Sequence, residues 1–495
     1  MKIISKKHLA SNAFLSLCQV LVSGILLFVL YGILLQKIGA KELGLWSVIL
    51  ASTSAARLSD LGLTGGVVKF VARYRALNEV EKPSLIIQTT SISVALAIGV
   101  LLLATYPLFK MVLAWVVSPA ELGLAFEILP IAMVAFWVSS VAGVFQAGLD
   151  GAQQAGARSV ILIVSNIIFF VAAVSSVENY GLRGLAYSQV AQAVFLVIAN
   201  WAYLRKFICG LPLLPVSWDK ALFKEMIGYS VNFQVSAFAV MLCDPITKML
   251  MSRFGGLEAS AYYEMANQMV VKVRALIVSA NQVLTPVFAE LHESAPGEIR
   301  RLFLDSYKAV FFISIPIYVL LVLCVPMISV LWIGRAEASF IFFSSCIAAA
   351  YFINNLEVPA HFVNLGTGHL KIITKAQLLM AGMNVAIGAS LGWFFGASGV
   401  LVGSVLALAI ASLVILFATS ARYQVGFSEL IPVEVRSFAV KVVFSFVAGE
   451  ALILSNPDHL LLATMAAASL VGAVSCVSLY KHPYFILVKG AVFRR

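Results

Sequence analysis

Residues 159–177 read SVILIVSNIIFFVAAVSSV, a continuous run without a charged side chain. A helix of that length rises about 28 Å, close to the roughly 30 Å thickness of the hydrocarbon core of a bilayer. The turn Gly181-Leu-Arg-Gly184 follows, and a second apolar run extends over residues 184–204. This arrangement is typical of two membrane-spanning helices that are joined by a short turn.

The same pattern recurs along the whole chain of 495 residues, of which 61% are hydrophobic and only 12% charged. Soluble proteins carry about 25% charged residues, so this composition excludes a soluble protein and leaves no sizeable soluble domain. We predict an all-α integral membrane protein with about 14 transmembrane helices. The predicted segments are 12–36, 43–71, 86–106, 122–148, 159–177, 184–204, 226–252, 258–289, 307–331, 338–364, 372–395, 398–420, 437–455 and 459–480.

Three short stretches of the first half recur in the second half at a nearly constant offset, which indicates an internal duplication. Residues 35–42 align with 251–258, Gly151 with Gly366, and 181–184 with 396–399. We therefore predict two pseudo-symmetric six-helix lobes around a central cavity, a plan that many transporters share. The predicted ranges are 1–210 for the N-lobe, 211–425 for the C-lobe, and 426–495 for helices 13 and 14 with a cytoplasmic tail.

Lysine and arginine are concentrated in alternate loops. If the N-terminus lies inside, 22 of the 34 basic residues fall on the inner side and only six in the outer loops. Because cytoplasmic loops carry the excess of positive charge, we expect both termini to be cytoplasmic. The net charge of +11 then reflects an inner face that suits anionic membrane lipids, and no nucleic-acid partner is expected. The six cysteines are scattered without metal-ligand spacing, so we expect no metal site.

Charged side chains inside the apolar segments are candidates for function, because each costs about 2.5–3.5 kcal/mol in the bilayer core. In the second segment, Arg57 and Asp60 are three residues apart and share one helical face. In the seventh, Asp244 and Lys248 flank Pro245, which bends a helix. The first pair either faces the transport cavity or forms a structural ion pair. The second pair, beside a bend, either marks a moving part or is a self-neutralising pair that lowers the cost of insertion.

The eighth segment is polar over a wide arc, so it cannot face lipid. Its polar residues form two ridges at helical spacing, namely Glu264, Gln268 and Lys272 on one and Asn267, Arg274 and Asn281 on the other. This helix lines either a water-filled cavity or a polar interface between the lobes.

The tenth segment carries Glu357 and His361 on one face, between Asn354 and Asn364. Histidine can change charge near neutral pH, and burial raises the pKa of a carboxyl group, so this pair could carry protons. A hydrogen-bonded structural face is the other interpretation.

Several kinds of catalysis are excluded by missing motifs. The chain has no GxxxxGK[ST] phosphate loop and neither an HExxH nor a GxSxG motif. Its longest outer connection, near residues 107–121, is too short for a catalytic domain, which disfavours a membrane glycosyltransferase. The sequence therefore indicates a transporter and not an enzyme.

Three stretches carry a resemblance to a known family: Ile38-Gly-Ala-Lys-Glu-Leu-Gly-Leu-Trp-Ser47, Leu58-Ser-Asp-Leu-Gly-Leu63 and Gly148-Leu-Asp-Gly151. With the predicted two-lobe plan, the chain resembles the polysaccharide transporter family. This family is the Wzx-type O-antigen flippase branch of the multidrug/oligosaccharidyl-lipid/polysaccharide exporter superfamily. The likeness extends over most of the chain.

The resemblance implies a V-shaped, alternating-access flippase of the bacterial inner membrane. Its substrate would be an undecaprenyl-pyrophosphate-linked oligosaccharide, with the polysaccharide polymerase machinery as a further partner. Such flippases need no cofactor beyond coupling to H⁺ or Na⁺. The residues that match a cationic substrate site are Arg57, Lys248, Lys272 and Arg274, with Asn267, Gln268 and Asn281 as polar contacts. The candidates for ion coupling are Asp60, Asp244, Glu264, Glu357 and His361.

Two other members of the superfamily fit less well. A lipid II flippase is expected to carry a basic residue in its first helix, whereas nothing between His8 and Lys37 is charged. A cation-coupled multidrug antiporter stays open as the alternative, because Asp244, Glu264 and Glu357 could form a cation site.

Overall fold

The structure is a computed structural model and describes residues 6–54, 63–77, 79, 81–208, 210–282, 284–456 and 459–480. Over these ranges it contains helices and no strand. The α-helices are α1 (Lys6–Lys37), α2 (Gly39–Ser54), α3 (Leu63–Ala76), α4 (Glu81–Val116), α5 (Leu122–Gly151), α6 (Ala155–Phe207), α7 (Lys220–Asn281), α8 (Leu284–Ser294), α9 (Ile299–Ile333), α10 (Ala338–Gly366), α11 (Leu370–Arg422), α12 (Phe427–Leu430), α13 (Val433–Ser455) and α14 (Leu460–Tyr480).

Nine helical stretches of the described chain are long and apolar enough to cross a membrane. Two of them, α6 and α11, have 53 residues each and would be about 80 Å long if straight, so each supplies two of the predicted segments. Helix α7 carries the seventh and eighth segments, while α2 and α3 both fall in the second. The order of helices agrees with the predicted all-α membrane fold of about 14 spans.

The two longest apolar helices break at equivalent glycines. In α6 the break is Gly181, with φ 53° and ψ −136°, and in α11 it is Gly396, with φ 61° and ψ −144°. A positive φ costs glycine little and other residues more. Because the sequence repeat aligns these two glycines with each other, the same turn occurs at the offset that the repeat predicts.

A second pair of glycines makes equivalent close contacts three residues after each break. A Cβ atom on Gly184 would lie 2.6 Å from the Ser176 carbonyl oxygen, and one on Gly399 would lie 2.0 Å from that of Leu391. The partners Ser176 and Leu391 are separated by the same offset as the two glycines. In both places glycine lets the two arms of the broken helix pack closely.

The alignment of Gly39 with Gly255 is wrong by one residue. The positive-φ residues are Gly39, with φ 76°, and Gly256, with φ 79°. The turn between α1 and α2 therefore corresponds to Gly256, which breaks α7. Two consecutive glycines at 255 and 256 satisfy either alignment at the level of sequence, and only the backbone conformation distinguishes them.

Internal contacts divide the chain into two compact units, Met1–Glu264 and Met265–Arg495. In the first, α6 packs against α1 and α5, and α5 also packs against α3 and α4. In the second, α10 packs against α9 and α11, and α13 and α14 pack against α9. The lobe ranges 1–210 and 211–425 stay a prediction that is based on the repeat.

Candidate functional site

In the first unit, Lys248 lies between two carboxylates. Its Nζ is 2.6 Å from Asp244 Oδ2 and 2.6 Å from Glu264 Oε2. Asp244 and Lys248 are one helical turn apart on α7, and Glu264 comes after the break at Gly256. We call Asp244, Lys248 and Glu264 the lysine–carboxylate cluster.

This cluster is tied to the first two helices through Glu264. The Tyr31 hydroxyl of α1 donates to Glu264 Oε1 at 3.4 Å, and the Ser47 hydroxyl of α2 donates to Glu264 Oε2 at 3.3 Å. The Tyr263 hydroxyl donates to Asp244 Oδ1 at 3.4 Å. Glu264 is thus held by one cation and two hydroxyl groups, an arrangement that stabilises a buried carboxylate.

The position of Lys248 bears on its predicted role in substrate binding. Its side chain is only 9% exposed, as is typical of a charge held by partners. Two carboxylates against one ammonium give the cluster a formal charge of −1 when all three are ionised. Both carboxylates therefore compete with a phosphate for Lys248.

In the second unit, Arg274 of α7 contacts the polar face of α10. Its Nε donates to Asn354 Oδ1 at 2.6 Å, and its guanidinium lies 5.8 Å from the centroid of the Tyr351 ring. Asn354 Nδ2 donates to Glu357 Oε2 at 3.3 Å and to Ser412 Oγ at 2.9 Å. A single amide therefore connects the arginine to a buried carboxylate.

The predicted pair of Glu357 and His361 is brought together on α10. His361 Nδ1 lies 3.3 Å from Glu357 Oε1, and the glutamate side chain is 5% exposed. We call Arg274, Asn354, Glu357 and His361 the arginine–amide cluster. It combines a guanidinium, an amide, a buried carboxyl group and an imidazole.

The other polar residues of the second part of α7 differ in burial. Asn267 is buried, Gln268 and Lys272 are half-buried, and the Asn281 amide donates to the Ile277 carbonyl oxygen at 2.8 Å. The predicted residues Arg57 and Asp60 lie outside the described residues. The predicted helical ridges thus contain both buried and partly accessible polar groups.

Five residues that contact these clusters were missed by the sequence analysis, namely Tyr31, Ser47, Tyr263, Tyr351 and Ser412. Single hydroxyl-bearing residues in apolar helices carry no periodic signal. Their contacts join residues that are far apart in the chain, as with Ser47 and Glu264. Only the folded structure identifies them.

The fold is that of a class of membrane transporters. An inward-facing multidrug resistance MATE family transporter of the MOP superfamily superposes with a TM-score of 0.72 at 15% identity, over 83% of this chain and 98% of that chain. Lipid II flippase MurJ, in an inward closed conformation, superposes with a TM-score of 0.74 at 12% identity, over 95% of this chain and 98% of MurJ. A MOP superfamily transporter from Pyrococcus furiosus, described as having a binding pocket of reverse polarity, superposes with a TM-score of 0.59 at 14% identity. The superposition covers 85% of this chain and 96% of that transporter.

Residues 9–292 match the family model described as polysaccharide biosynthesis protein. The match covers more than half of the chain, so this protein belongs to that family, and the predicted family is confirmed. No curated protein matches the chain by sequence. The structural similarities occur at low sequence identity and establish the fold alone.

Proposed function

We propose that this protein is a flippase that moves an undecaprenyl-pyrophosphate-linked oligosaccharide across the bacterial inner membrane by alternating access. Membership of the polysaccharide biosynthesis family supports a substrate of this class. The distribution of basic residues supports an inner-membrane location with both termini in the cytoplasm. On this proposal the protein is a transporter and not an enzyme such as a membrane glycosyltransferase.

The observation that carries the proposal concerns Lys272 and Arg274. Among the described residues, neither has a carboxylate within ion-pair distance, whereas Lys248 has two. Both side chains are half-buried, where a positive charge interacts strongly with an incoming anion. A guanidinium also binds phosphate through two parallel hydrogen bonds. We assign these two cations to the pyrophosphate, with Asn267, Gln268 and Asn281 as polar contacts to the substrate.

Coupling to H⁺ or Na⁺ is assigned to the carboxylates Asp244, Glu264 and Glu357, together with His361. Protonation of one carboxylate would weaken the hold on Lys248, because the ammonium would lose one of its two charged partners. A change of charge in this cluster would therefore alter how firmly α7 is tied to α1 and α2. Arg57 and Asp60 stay in the proposed site on the evidence of sequence alone.

The proposal is tested in a strain that lacks the protein and is complemented with variants. Lys272→Gln and Arg274→Gln remove a charge and keep a side chain that can form hydrogen bonds, and Lys371→Gln is the control because Lys371 is exposed at the start of α11. We expect Lys272→Gln and Arg274→Gln to lower surface polysaccharide and to accumulate the lipid-linked intermediate at normal protein levels. Full complementation by both variants would refute the assignment. Cell-surface polymer and intermediate are measured together, because a defect of the polymerase machinery would lower polymer without retaining the intermediate in the inner leaflet.

A cation-coupled multidrug antiporter is the second candidate, and one observation favours it. The lysine–carboxylate cluster places two carboxylates around one lysine, and carboxylates suit a cation better than a pyrophosphate. On this alternative, loss of the protein would leave surface polysaccharide unchanged and would increase sensitivity to cationic drugs. Growth of the deletion strain with such drugs therefore distinguishes the two candidates.

A further inference from the structure

The segment between α6 and α7 is bound along its length to the beginning of α4. The Gln88 side-chain oxygen accepts hydrogen bonds from the backbone N–H groups of Val216 at 3.2 Å and Ser217 at 3.1 Å. The Thr89 hydroxyl accepts from the Asp219 N–H at 3.1 Å. These bonds satisfy backbone groups that an ordinary loop leaves to water.

Further bonds fix both ends of this segment. The Ser84 hydroxyl donates to the Gly210 carbonyl oxygen at 3.0 Å, and the Trp201 indole donates to that of Leu213 at 2.8 Å. At the other end, the Trp218 indole donates to the Ser93 hydroxyl at 3.0 Å. The segment is therefore an ordered strap, which we define as residues 211–218.

The strap presents apolar side chains outward. The exposed fractions are 70% for Leu213, 66% for Leu214, 74% for Val216 and 48% for Trp218, whereas Leu211 is buried at 7%. Leu213, Leu214 and Val216 are thus left largely uncovered, and Trp218 keeps about half of its surface exposed while its indole N–H is bonded to Ser93. Exposed apolar side chains held by an ordered backbone are available to an apolar partner.

The place of the strap along α4 favours lipid as the occupant. Helix α4 has 36 residues and is about 54 Å long, which exceeds the roughly 30 Å hydrocarbon core. The strap is bonded to residues 84–93 of this helix, so it lies at one end of a membrane span. Tryptophan is enriched at that depth, where its ring contacts hydrocarbon and its N–H contacts polar groups.

Four basic residues flank the strap. Arg205 and Lys206 lie in the last turn of α6, Lys220 and Lys224 lie at the start of α7, and all four are exposed. The nearby acidic groups are engaged elsewhere: Asp219 accepts from the Leu222 N–H at 2.8 Å and Glu225 lies 3.2 Å from Arg73. Within the described residues no carboxylate pairs with the four flanking cations, so they are available to negatively charged headgroups.

We propose that the strap is a binding surface for anionic phospholipid. Leu213, Leu214, Val216 and Trp218 enter the boundary between headgroups and acyl chains, and Arg205 with the three flanking lysines contacts the phosphates. This combination of exposed apolar groups and basic residues is how peripheral segments bind anionic membranes. The proposal does not depend on the transported substrate.

The test measures the fluorescence of Trp218 in vesicles. The protein is reconstituted with phosphatidylglycerol or phosphatidylcholine whose acyl chains are brominated near the headgroup end, and the signal of Trp218→Phe is subtracted. We expect the Trp218 component to be quenched, and more strongly by the brominated phosphatidylglycerol. Each basic residue favours an anionic lipid by about fivefold, so Lys220→Gln should lower the preference by about that factor. Absence of quenching of the Trp218 component overturns the proposal.

A second comparison avoids any change of an aromatic residue. Lys220→Gln and Lys224→Gln alter exposed side chains only, so the fold is retained and total tryptophan quenching can be read directly. The control is Lys371→Gln, which removes the same charge at a different exposed position. Equal quenching by the anionic and the zwitterionic lipid in the wild type, or an equal effect of all three substitutions, would contradict the proposal.

Discussion

Replacing Lys248 with methionine should destabilise the protein strongly, because it removes a cation that contacts a buried carboxylate. Lys248 and Glu264 are 9% and 10% exposed and 2.6 Å apart. Removing one partner of a buried ion pair costs about 3–5 kcal/mol. The Asp244 side chain is 42% exposed, so its ion pair with Lys248 is screened by solvent and contributes about 0–1 kcal/mol. We therefore expect Lys248→Met to cost about 3 kcal/mol and Asp244→Asn less than about 1 kcal/mol.

A double variant separates the missing charge from the altered shape. In Lys248→Met combined with Glu264→Gln both charges are gone, and the amide can still bond with the hydroxyls of Tyr31 and Ser47. Replacement of a buried ion pair by neutral groups is often close to neutral in stability. We expect the double variant to recover most of the loss caused by Lys248→Met.

The assay is unfolding of the purified protein in detergent, with thermal midpoints and denaturant titrations measured for the single and double variants. Protein abundance in the membrane gives an independent readout. Wild-type stability of Lys248→Met, or a double variant that is less stable than Lys248→Met, would refute the argument that the cluster is held by charge.

Three further predictions concern the second unit. Gly399→Ala places a Cβ atom 2.0 Å from a backbone carbonyl oxygen and should cost about 1–3 kcal/mol of unfolding free energy. The control Gly382→Ala should not destabilise the protein, because no atom lies within 4 Å of the added Cβ. Equal stability of the two variants would contradict the packing argument. Asn354→Ala should lower the unfolding free energy by about 1–3 kcal/mol, because it leaves the buried carboxylate of Glu357 with one donor fewer. Denaturant unfolding of this variant, compared with the control Ser404→Ala, checks the prediction. A hydrogen bond from a backbone N–H, and then the charge of the Arg300 guanidinium, hold the pKa of Glu429 below its usual value. The stability that Glu429 contributes is therefore present above the ordinary glutamate pKa and is lost as the pH falls through the lowered pKa. A stability difference between wild type and Glu429→Gln that does not change with pH would contradict this prediction.

The positions of helices were predictable because their causes are local. Bilayer thickness determines the length of each apolar run, and the turns at Gly181 and Gly396 occur where glycine-rich motifs separate two runs. The repeat aligned Gly39 with Gly255, whereas the positive φ lies at Gly256, since both glycines are equally able to adopt it and the choice depends on packing around them.

Pairings within one helical stretch could be predicted from the sequence, whereas pairings across a helix break could not. Helical spacing brought Glu357 and His361 together and paired Asp244 with Lys248, as the structure has them. It assigned Glu264 to a ridge with Gln268 and Lys272, whereas Glu264 binds Lys248 across the break in α7. Contacts between segments depend on the direction in which a broken helix continues, and spacing along one helix carries no information on it.

The central claim is tested most directly by purified protein in sealed vesicles. The lipid-linked oligosaccharide is added to the outer leaflet, and the fraction that an added glycosidase can cleave is followed with time. Translocation predicts that part of the oligosaccharide becomes protected in vesicles with the protein, and more slowly with Arg274→Gln. Oligosaccharide that stays as accessible as in protein-free vesicles, under an imposed H⁺ or Na⁺ gradient of either direction, would contradict the account.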